Sequence, residues 1–577
     1  MKPRLRLIIA WVGAFVGLAL LGAGLFIEDT SLWRLQLLTG LWLLSLLPRI
    51  FLDRNRAPLT RSMGRLALVF GLGLAAVGLQ LTREQVSQAA AVRQQATALL
   101  QPATPEKPDT TALRPADRTE LGNGRVWPVA TSVITRGSIL DRNGTVLALS
   151  QDGRRVYPNP DLGLIVGYAS RLYGTTGIEH SFDSYLSGAR TRSAQAILQA
   201  RLLGTQVQTE PAADIRLTLD SKLQQVAQAA LGDKPGAVVL LDPQTGAILA
   251  LASYPRFDPN QLVLADQATQ ADVDKVQAAY AALTARSDSP LLNRATQGRY
   301  PPGSVIKTLT GAAVLDAKVV NGPDGQATCP ERLATENGAP PVVNAVKNLA
   351  ARTGNPSDLR RVYAWSCNTA FAQLGLALGP ERFADYAARF GLRAADAVSI
   401  TADLRDIPSD AGSIASTADF LGRPAALADT AYGQGQALVT PLDMAQMVAV
   451  IANDGRLMRP YLVQEAKAGE QVLYSAKPEV LRQVIAPQAA QQMRSVMQSS
   501  VEIGYAKPVA LPGVTIGAKT GTAETPSGVP HSWFVAIAPL EAPRFAIAVI
   551  TEHGGEGSRS ALPIAKQVLA AALGVQP

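Results

Sequence analysis

Residues 7–27, "LIIAWVGAFVGLALLGAGLFI", run without a single charge. A stretch of that length is long enough to cross a bilayer, and in lipid only a helix satisfies its backbone groups internally. Residues 66–82, "LALVFGLGLAAVGLQLT", form a second, slightly shorter run. Between them lies "SLWRLQLLTGLWLLSLLP", whose uncharged part, residues 35–48, is short. By itself it reads either as a third span with Arg34 snorkelling or as an interfacial helix. Charge decides between these. Lys2, Arg4 and Arg6 flank the first run, and Arg49, Arg54, Arg56, Arg61 and Arg65 crowd the second connection, whereas the first connection, "EDTS", has no basic residue. Basic loops stay on the cytoplasmic side. Both basic ends then face inward, so the middle segment must return across the membrane. The expectation is three transmembrane helices within residues 1–82 and an extracytoplasmic location for everything after Arg83. A cleaved signal peptide fits less well, because the first run exceeds a usual signal core and further apolar segments follow.

The rest of the composition excludes more than it identifies. Much of the formal charge of +8 comes from these N-terminal arginines, so it speaks for membrane orientation and not for nucleic acid. Aromatics are 5% of the chain, with no basic-aromatic stripe on which bases could stack. The histidines, His180, His531 and His553, are scattered and no H-E-x-x-H occurs, so neither a metal nor another cofactor is expected. Cys329 and Cys367 make no C-x-x-C. Outside the cytoplasm they suit a disulfide, and two half-buried thiols fit equally well.

After the third apolar run, the Ala- and Gln-rich "REQVSQAAAVRQQATALLQ" reads as a helical stalk and the Pro-rich "PATPEKPDTTALRPADR" as a linker, so residues 83–123 connect rather than fold. Residues 124–212 carry strand and turn signals, the strongest being Asn143-Gly144 inside an alternating stretch, which predicts a hairpin. In residues 213–577, "DIRLTL" alternates like a strand and residues 221–231 read as a helix with Leu, Val and Ala on one face. "GAVVLLDPQTGAILALASYP" reads as two strands joined by a turn at residues 242–246. Strands return in "HSWFVAIAP" and "RFAIAVITEH", and residues 561–573 read as a closing helix. Strands at both ends with helices between them predict an α+β domain whose sheet joins its two termini.

Three short motifs each occur once, in order: "SVIK" at 304–307, "SCN" at 366–368 and "KTG" at 519–521. Each alone has an ordinary reading. Ser304 behind Pro301, Pro302 and Gly303 is a common helix start, and a lysine one turn later is usually solvated. Asn368 could stabilise a loop, and Lys519 could be an edge-strand charge that blocks aggregation. Yet positions i and i+3 share a helix face, so the Ser304 hydroxyl can meet the Lys307 amine, and a buried lysine of lowered pKa can act as its base. A closely similar ordered set marks serine β-lactamases and penicillin-binding proteins.

With "RGSILDRNGTVLA" (136–148), "YGTTGIE" (173–179), "DIRLTLDSKLQQ" (214–225), "LDPQTGAILALASYPRFDPN" (241–260), "YGQG" (432–435) and "HSWFVAIAP" (531–539), the chain resembles the class B penicillin-binding proteins over roughly residues 125–577. These are membrane-anchored D,D-transpeptidases of bacterial cell-wall synthesis. The resemblance implies a transpeptidase domain like that of serine β-lactamases, an antiparallel sheet flanked by helices, over residues 213–577. It implies a β-rich pedestal, of the dimerisation-domain kind, over 124–212. The front departs from the family, whose members commonly carry one anchor.

Carried over residue by residue, the resemblance makes Ser304 the nucleophile toward the carbonyl between two D-alanines of a stem peptide and Lys307 its base. Ser366 relays a proton toward the leaving amine, and Asn368 lines the cleft with it. Lys519, Thr520 and Thr522 receive a terminal carboxylate, and Gly521 lets strand and substrate approach closely. The backbone N–H groups of Ser304 and Thr522 form an oxyanion hole. Cys367, between two site residues, is expected to pack or to pair with Cys329. The implied partners are peptidoglycan stem peptides, β-lactams and a membrane glycan polymerase of the SEDS type, since the stalk and linker leave no room for a glycosyltransferase domain. A tethered β-lactamase would need a carboxylate to activate water; the two within range in sequence, Glu524 and Asp443, read as an outward residue and a helix-start residue. A β-lactam sensor would need a cytoplasmic output larger than the loop at 49–65.

Overall fold

The structure, a computed structural model, describes residues 136–188, 211–394, 404–526 and 528–577, with five isolated positions before residue 40. The three expected membrane helices, the stalk and the linker lie outside the described residues. Among the described residues no helix is long and apolar enough to cross a membrane.

The first strands are β1 (Ile139–Leu140), β2 (Val146–Gln151) and β3 (Arg154–Val156). The hairpin expected at Asn143-Gly144 joins β1 to β2, with Gly144 at φ +90° and the Asp141 carboxylate accepting from the Asn143 and Thr145 N–H groups at 2.8 Å. Two of the quoted stretches interlock here. Arg136 from "RGSILDRNG" and Arg155 donate to the fully buried Glu179 of "YGTTGIE" at 2.9 and 2.6 Å, and the Tyr157 hydroxyl reaches the same carboxylate at 3.2 Å. A buried carboxylate is tolerable only with such partners.

The chain continues through β4 (Asp214–Leu217), α1 (Ser221–Leu231), β5 (Gly236–Leu241) and β6 (Ile248–Tyr254), all at the expected places. Then come α2 (Lys307–Asp316), β7 (Val342–Val343), α3 (Asn368–Leu378), α4 (Pro424–Tyr432) and α5 (Pro441–Ala452). β8 (Val463–Ala468), β9 (Gln471–Ser475) and α6 (Pro487–Glu502) follow. The last elements are β10 (Gly517–Ala523), β11 (His531–Ala538), β12 (Phe545–Thr551) and α7 (Ala561–Leu573).

Two sheets organise these strands. One has six strands in the order β9-β8-β4-β1-β2-β3, so strands from beyond residue 212 complete the sheet of the N-terminal β-rich region. The other has five, in the order β10-β11-β12-β5-β6, all antiparallel. The β12–β5 pairing joins the two ends of the domain, as the strand distribution predicts. Alternation divides β5 between two cores. Val238 and Leu240 pack with Phe534, Val549, Ile564 and Val568 under α1 and α7, while Val239 and Leu241 face Val535, Ala548 and residues of α5. The α2 helix is apolar nearly all round and correspondingly interior: Lys307 to Leu315 are all buried. This leaves β10 as an open edge beside the start of α2.

Candidate active site

Ser304, the expected nucleophile, lies in a single 3-10 turn, Gly303–Ile306, leading into α2. Pro301 and Pro302 deliver the chain there, and two flanking elements pin it. Tyr300 exchanges both backbone hydrogen bonds with Val439 at 2.9 Å, and the Trp533 indole N–H donates to the Pro301 carbonyl at 2.9 Å. Gly303 has φ +54°, and a Cβ there would stand 2.6 Å from the Thr522 carbonyl oxygen. The turn therefore presses directly against the edge strand β10.

Lys307 is not the solvated lysine of the ordinary reading. It is fully buried, while Ser304, one turn before it, is half-buried and reachable. Lys307 Nζ lies 3.0 Å from Ser304 Oγ, 3.0 Å from Ser366 Oγ, 2.8 Å from the Ser366 carbonyl and 2.7 Å from Asn368 Oδ1. Burial, and then the like charge of Lys519, push its pKa well below the ordinary lysine value. A neutral amine has two N–H donors and one lone pair. The Ser366 carbonyl and Asn368 Oδ1 can only accept, so they take both donors. The lone pair is left for the hydroxyls, and Ser304 can donate its proton to it.

Ser366 sits at φ +56°, an uncommon conformation for a residue with a side chain, and this places both its hydroxyl and its carbonyl on Lys307. Its hydroxyl also receives Lys519 Nζ at 3.0 Å. Lys519, on β10, is fully buried, donates to the Thr520 carbonyl at 2.8 Å and stands 5.7 Å over the Tyr363 ring. Burial pushes its pKa down to about 7. With both amines on one hydroxyl, charging both is costly. Burial lowers both, and the like charge of Lys519 adds to the lowering at Lys307, which makes Lys307 the one favoured as neutral.

β10 is the sheet edge, so alternate N–H and C=O groups face outward. The Thr520 and Thr522 carbonyls face that edge, one meeting Lys519 Nζ and the other Gly303. By the same alternation the Thr522 N–H points there too, beside the N–H groups at the start of the nucleophile turn, which have no helical partner. A Cβ at Gly521 would lie 2.9 Å from Val305 Cγ1 and 3.0 Å from Trp533 Cβ, so its small size admits the turn that carries Ser304.

Cys329 and Cys367 are joined by a disulfide beside the site. Asp443 is held in a capping box with Thr440 at the start of α5, and Glu524 is exposed just past β10, both as the sequence suggests. Two of the three histidines meet: the rings of His531 and His553 lie 4.9 Å apart, with the His553 backbone N–H donating to His531 Nδ1 at 3.1 Å. Among the described residues no group of three or more His, Cys, Asp or Glu could hold a metal ion. Sequence reasoning missed Trp533 and Tyr363 as supports, and Asn344, whose Oδ1 accepts from the Asn368 N–H at 2.9 Å. No spacing marks these three, because each acts through a contact between distant segments.

Two family models match the chain: the penicillin-binding protein transpeptidase domain over residues 236–570, and the penicillin-binding protein A dimerisation domain over 136–211. The peptidoglycan D,D-transpeptidase PbpA of Mycolicibacterium smegmatis is 36% identical over 76% of this chain and 89% of its own length. Penicillin-binding protein A of M. tuberculosis, solved as an imipenem acyl-enzyme complex, superimposes with a TM-score of 0.65 at 33% identity, covering 76% of this chain and 99% of that one. Pseudomonas aeruginosa PBP2, in complex with WCK 5153, gives a TM-score of 0.62 at 30% identity over 76% of this chain and 96% of that one.

Proposed function

This chain belongs to the penicillin-binding proteins and is a serine-type peptidoglycan D,D-transpeptidase, and from that premise we propose how its own residues carry the reaction. Ser304 Oγ attacks the carbonyl between two D-alanines of a stem peptide as Lys307 Nζ takes its proton. The charge that develops on the carbonyl oxygen is met by the backbone N–H groups of Ser304 and Thr522. The peptide C–N bond then breaks, the leaving D-alanine amine receives its proton through Ser366, and the donor peptide is left as an ester on Ser304. An acceptor amine attacks that ester and gives a proton to Lys307, which passes it to the departing Ser304 Oγ as the ester C–O bond breaks and the cross-linked product leaves. Lys519, Thr520 and Thr522 hold the donor's terminal carboxylate. The extended peptide adds to the open edge of β10 as a further strand. β-Lactams enter the same path and stop at the ester, because the ring-opened product stays in place.

The observation that carries this assignment is the 3.0 Å contact between a reachable Ser304 hydroxyl and a fully buried Lys307 amine. Residues 213–577 form the transpeptidase domain and residues 124–212 the pedestal, which borrows β4, β8 and β9 for its sheet. Residues 1–82 anchor the protein through three spans, 83–123 form the stalk and linker, and the catalytic domain faces away from the cytoplasm. Glycan polymerisation falls to a separate membrane partner of the SEDS type. The direct test is D-alanine release from a pentapeptide-stem donor with an amine acceptor. The full-length protein should release D-alanine and form cross-linked dimer. Ser304→Ala should do neither, and turnover by that variant would refute the assignment.

A further inference from the structure

We propose that Asn344 is a positioning residue that holds Asn368, and through it the Lys307 amine, for acylation of Ser304. The inference deepens the assignment of Ser304, Lys307 and Asn368 above and rests on it.

The α3 helix starts at Asn368, so its first N–H groups lack helical partners. A Ser, Thr, Asp or Asn at the N-cap would ordinarily supply an oxygen. Here the N-cap is Cys367, whose sulfur is tied to Cys329 and meets one backbone N–H of the helix, that of Ala370, at 3.4 Å. The Asn368 and Thr369 N–H groups instead share Asn344 Oδ1, at 2.9 and 3.2 Å, from 24 and 25 residues upstream. Asn344 is itself fixed, because its Nδ2 donates to the Pro330 carbonyl at 3.0 Å, the same carbonyl that accepts the Thr369 hydroxyl at 2.7 Å.

The neighbouring residue grips the other end of Asn368. The Val343 carbonyl accepts from Asn368 Nδ2 at 3.0 Å. With its amide nitrogen so engaged, Asn368 can present only Oδ1 to Lys307, at 2.7 Å. The pair Val343–Asn344 thus sets both the position and the orientation of the oxygen that occupies one Lys307 donor. Without it, an N–H of Lys307 is freed to donate to Ser304 Oγ, the wrong polarity for a base that must accept the serine proton.

The test measures the second-order rate of acylation by a fluorescent penicillin on the full-length, detergent-solubilised protein. It compares wild type, Asn344→Ala, Asn344→Asp, Asn368→Ala and the double variant Asn344→Ala/Asn368→Ala, each scaled to its folded fraction from a thermal melt. A misplacement of about 1 Å can cost 10²-fold in rate, so Asn344→Ala should lose about that much. Asn344→Asp keeps the acceptor for the two N–H groups but loses the Nδ2 donor to the Pro330 carbonyl, so its rate should fall between those of Asn344→Ala and wild type. The double variant should be no slower than Asn368→Ala alone, since Asn344 acts through Asn368. Should Asn344→Ala not accumulate as folded protein, Asn344→Ser, too short to reach either N–H, replaces it. A folded Asn344→Ala that loses only melting temperature, or losses that simply multiply in the double variant, overturns the inference. If Asn368→Ala itself acylates normally, the site assignment fails and Asn344 falls with it.

Discussion

Replacing Lys519 by methionine should move the pH profile of acylation in one direction by a calculable amount. Lys307 Nζ and Lys519 Nζ each lie 3.0 Å from the same Ser366 Oγ, so they are separated by at most twice that distance. Two unit charges roughly 6 Å apart, at an effective dielectric constant of about 20, repel by ~2.8 kcal/mol, a factor of about 100 in an equilibrium. Lys519 therefore disfavours the protonated form of Lys307, in addition to the larger effect of burial. The sign follows directly. Acylation needs Lys307 neutral, so the rate rises with pH through the Lys307 pKa. Removing the Lys519 charge raises that pKa, and the acid limb moves to higher pH. Below the limb, Lys519→Met should then lose up to about 100-fold more than it loses on the plateau. The plateau loss itself reports the missing carboxylate partner. In wild type the alkaline side should fall as Lys519 loses its proton, near pH 7 in the free enzyme and higher with a carboxylate bound. The assay is the rate of labelling by a carboxylate-bearing β-lactam from pH 5 to 10. An acid limb that stays in place in Lys519→Met, or moves to lower pH, would refute the electrostatic coupling of the two amines.

The remaining predictions follow from other contacts. Gly303→Ala places a Cβ 2.6 Å from the Thr522 carbonyl, so it should part the Ser304 turn from β10 and slow acylation by about 10²-fold; Gly422→Ala, in open space and without a positive φ, should leave acylation unchanged. For topology, a cysteine introduced by Thr60→Cys should resist an impermeant thiol reagent in intact cells while Asp109→Cys reacts, and labelling of both would mean that residues 32–48 do not span. Asp443 is committed to its capping box and Glu524 is exposed, so the β-lactam adduct should outlast the assay. Sustained β-lactam hydrolysis at rates typical of enzymes, roughly 1–10³ s⁻¹, would favour the β-lactamase reading.

What the sequence makes legible is local. The Asn143-Gly144 hairpin, the helices Ser221–Leu231 and Ala561–Leu573 and the strand pair around residues 242–246 are set by turn chemistry and periodicity within a few residues. The three motifs were legible because each occurs once and in order. The pairing of the N-terminal strands with distant ones was not. β8, "VQEAKA", is too polar to announce a buried partner, yet it lies against β4 across some 250 residues, and only the packed molecule sets that choice. The same holds around the site. Trp533 and Asn344 have no spacing rule because each donates or accepts across a tertiary contact. That a side chain at Gly521 would meet Val305 and Trp533 was likewise not legible, because all three come from separate segments. The pairing of Cys329 with Cys367 was open in the sequence because composition cannot fix distance.

The central claim is that Ser304, and no other residue, forms the covalent intermediate. Labelling of the full-length protein with a fluorescent penicillin, followed by digestion and mass mapping of the adduct, tests it most directly. The account predicts one adduct per chain, on the peptide bearing Ser304, absent in Ser304→Ala and formed ~10²–10⁴ more slowly in Lys307→Ala. An adduct on Ser366 or elsewhere, or undiminished labelling of Ser304→Ala, would contradict it.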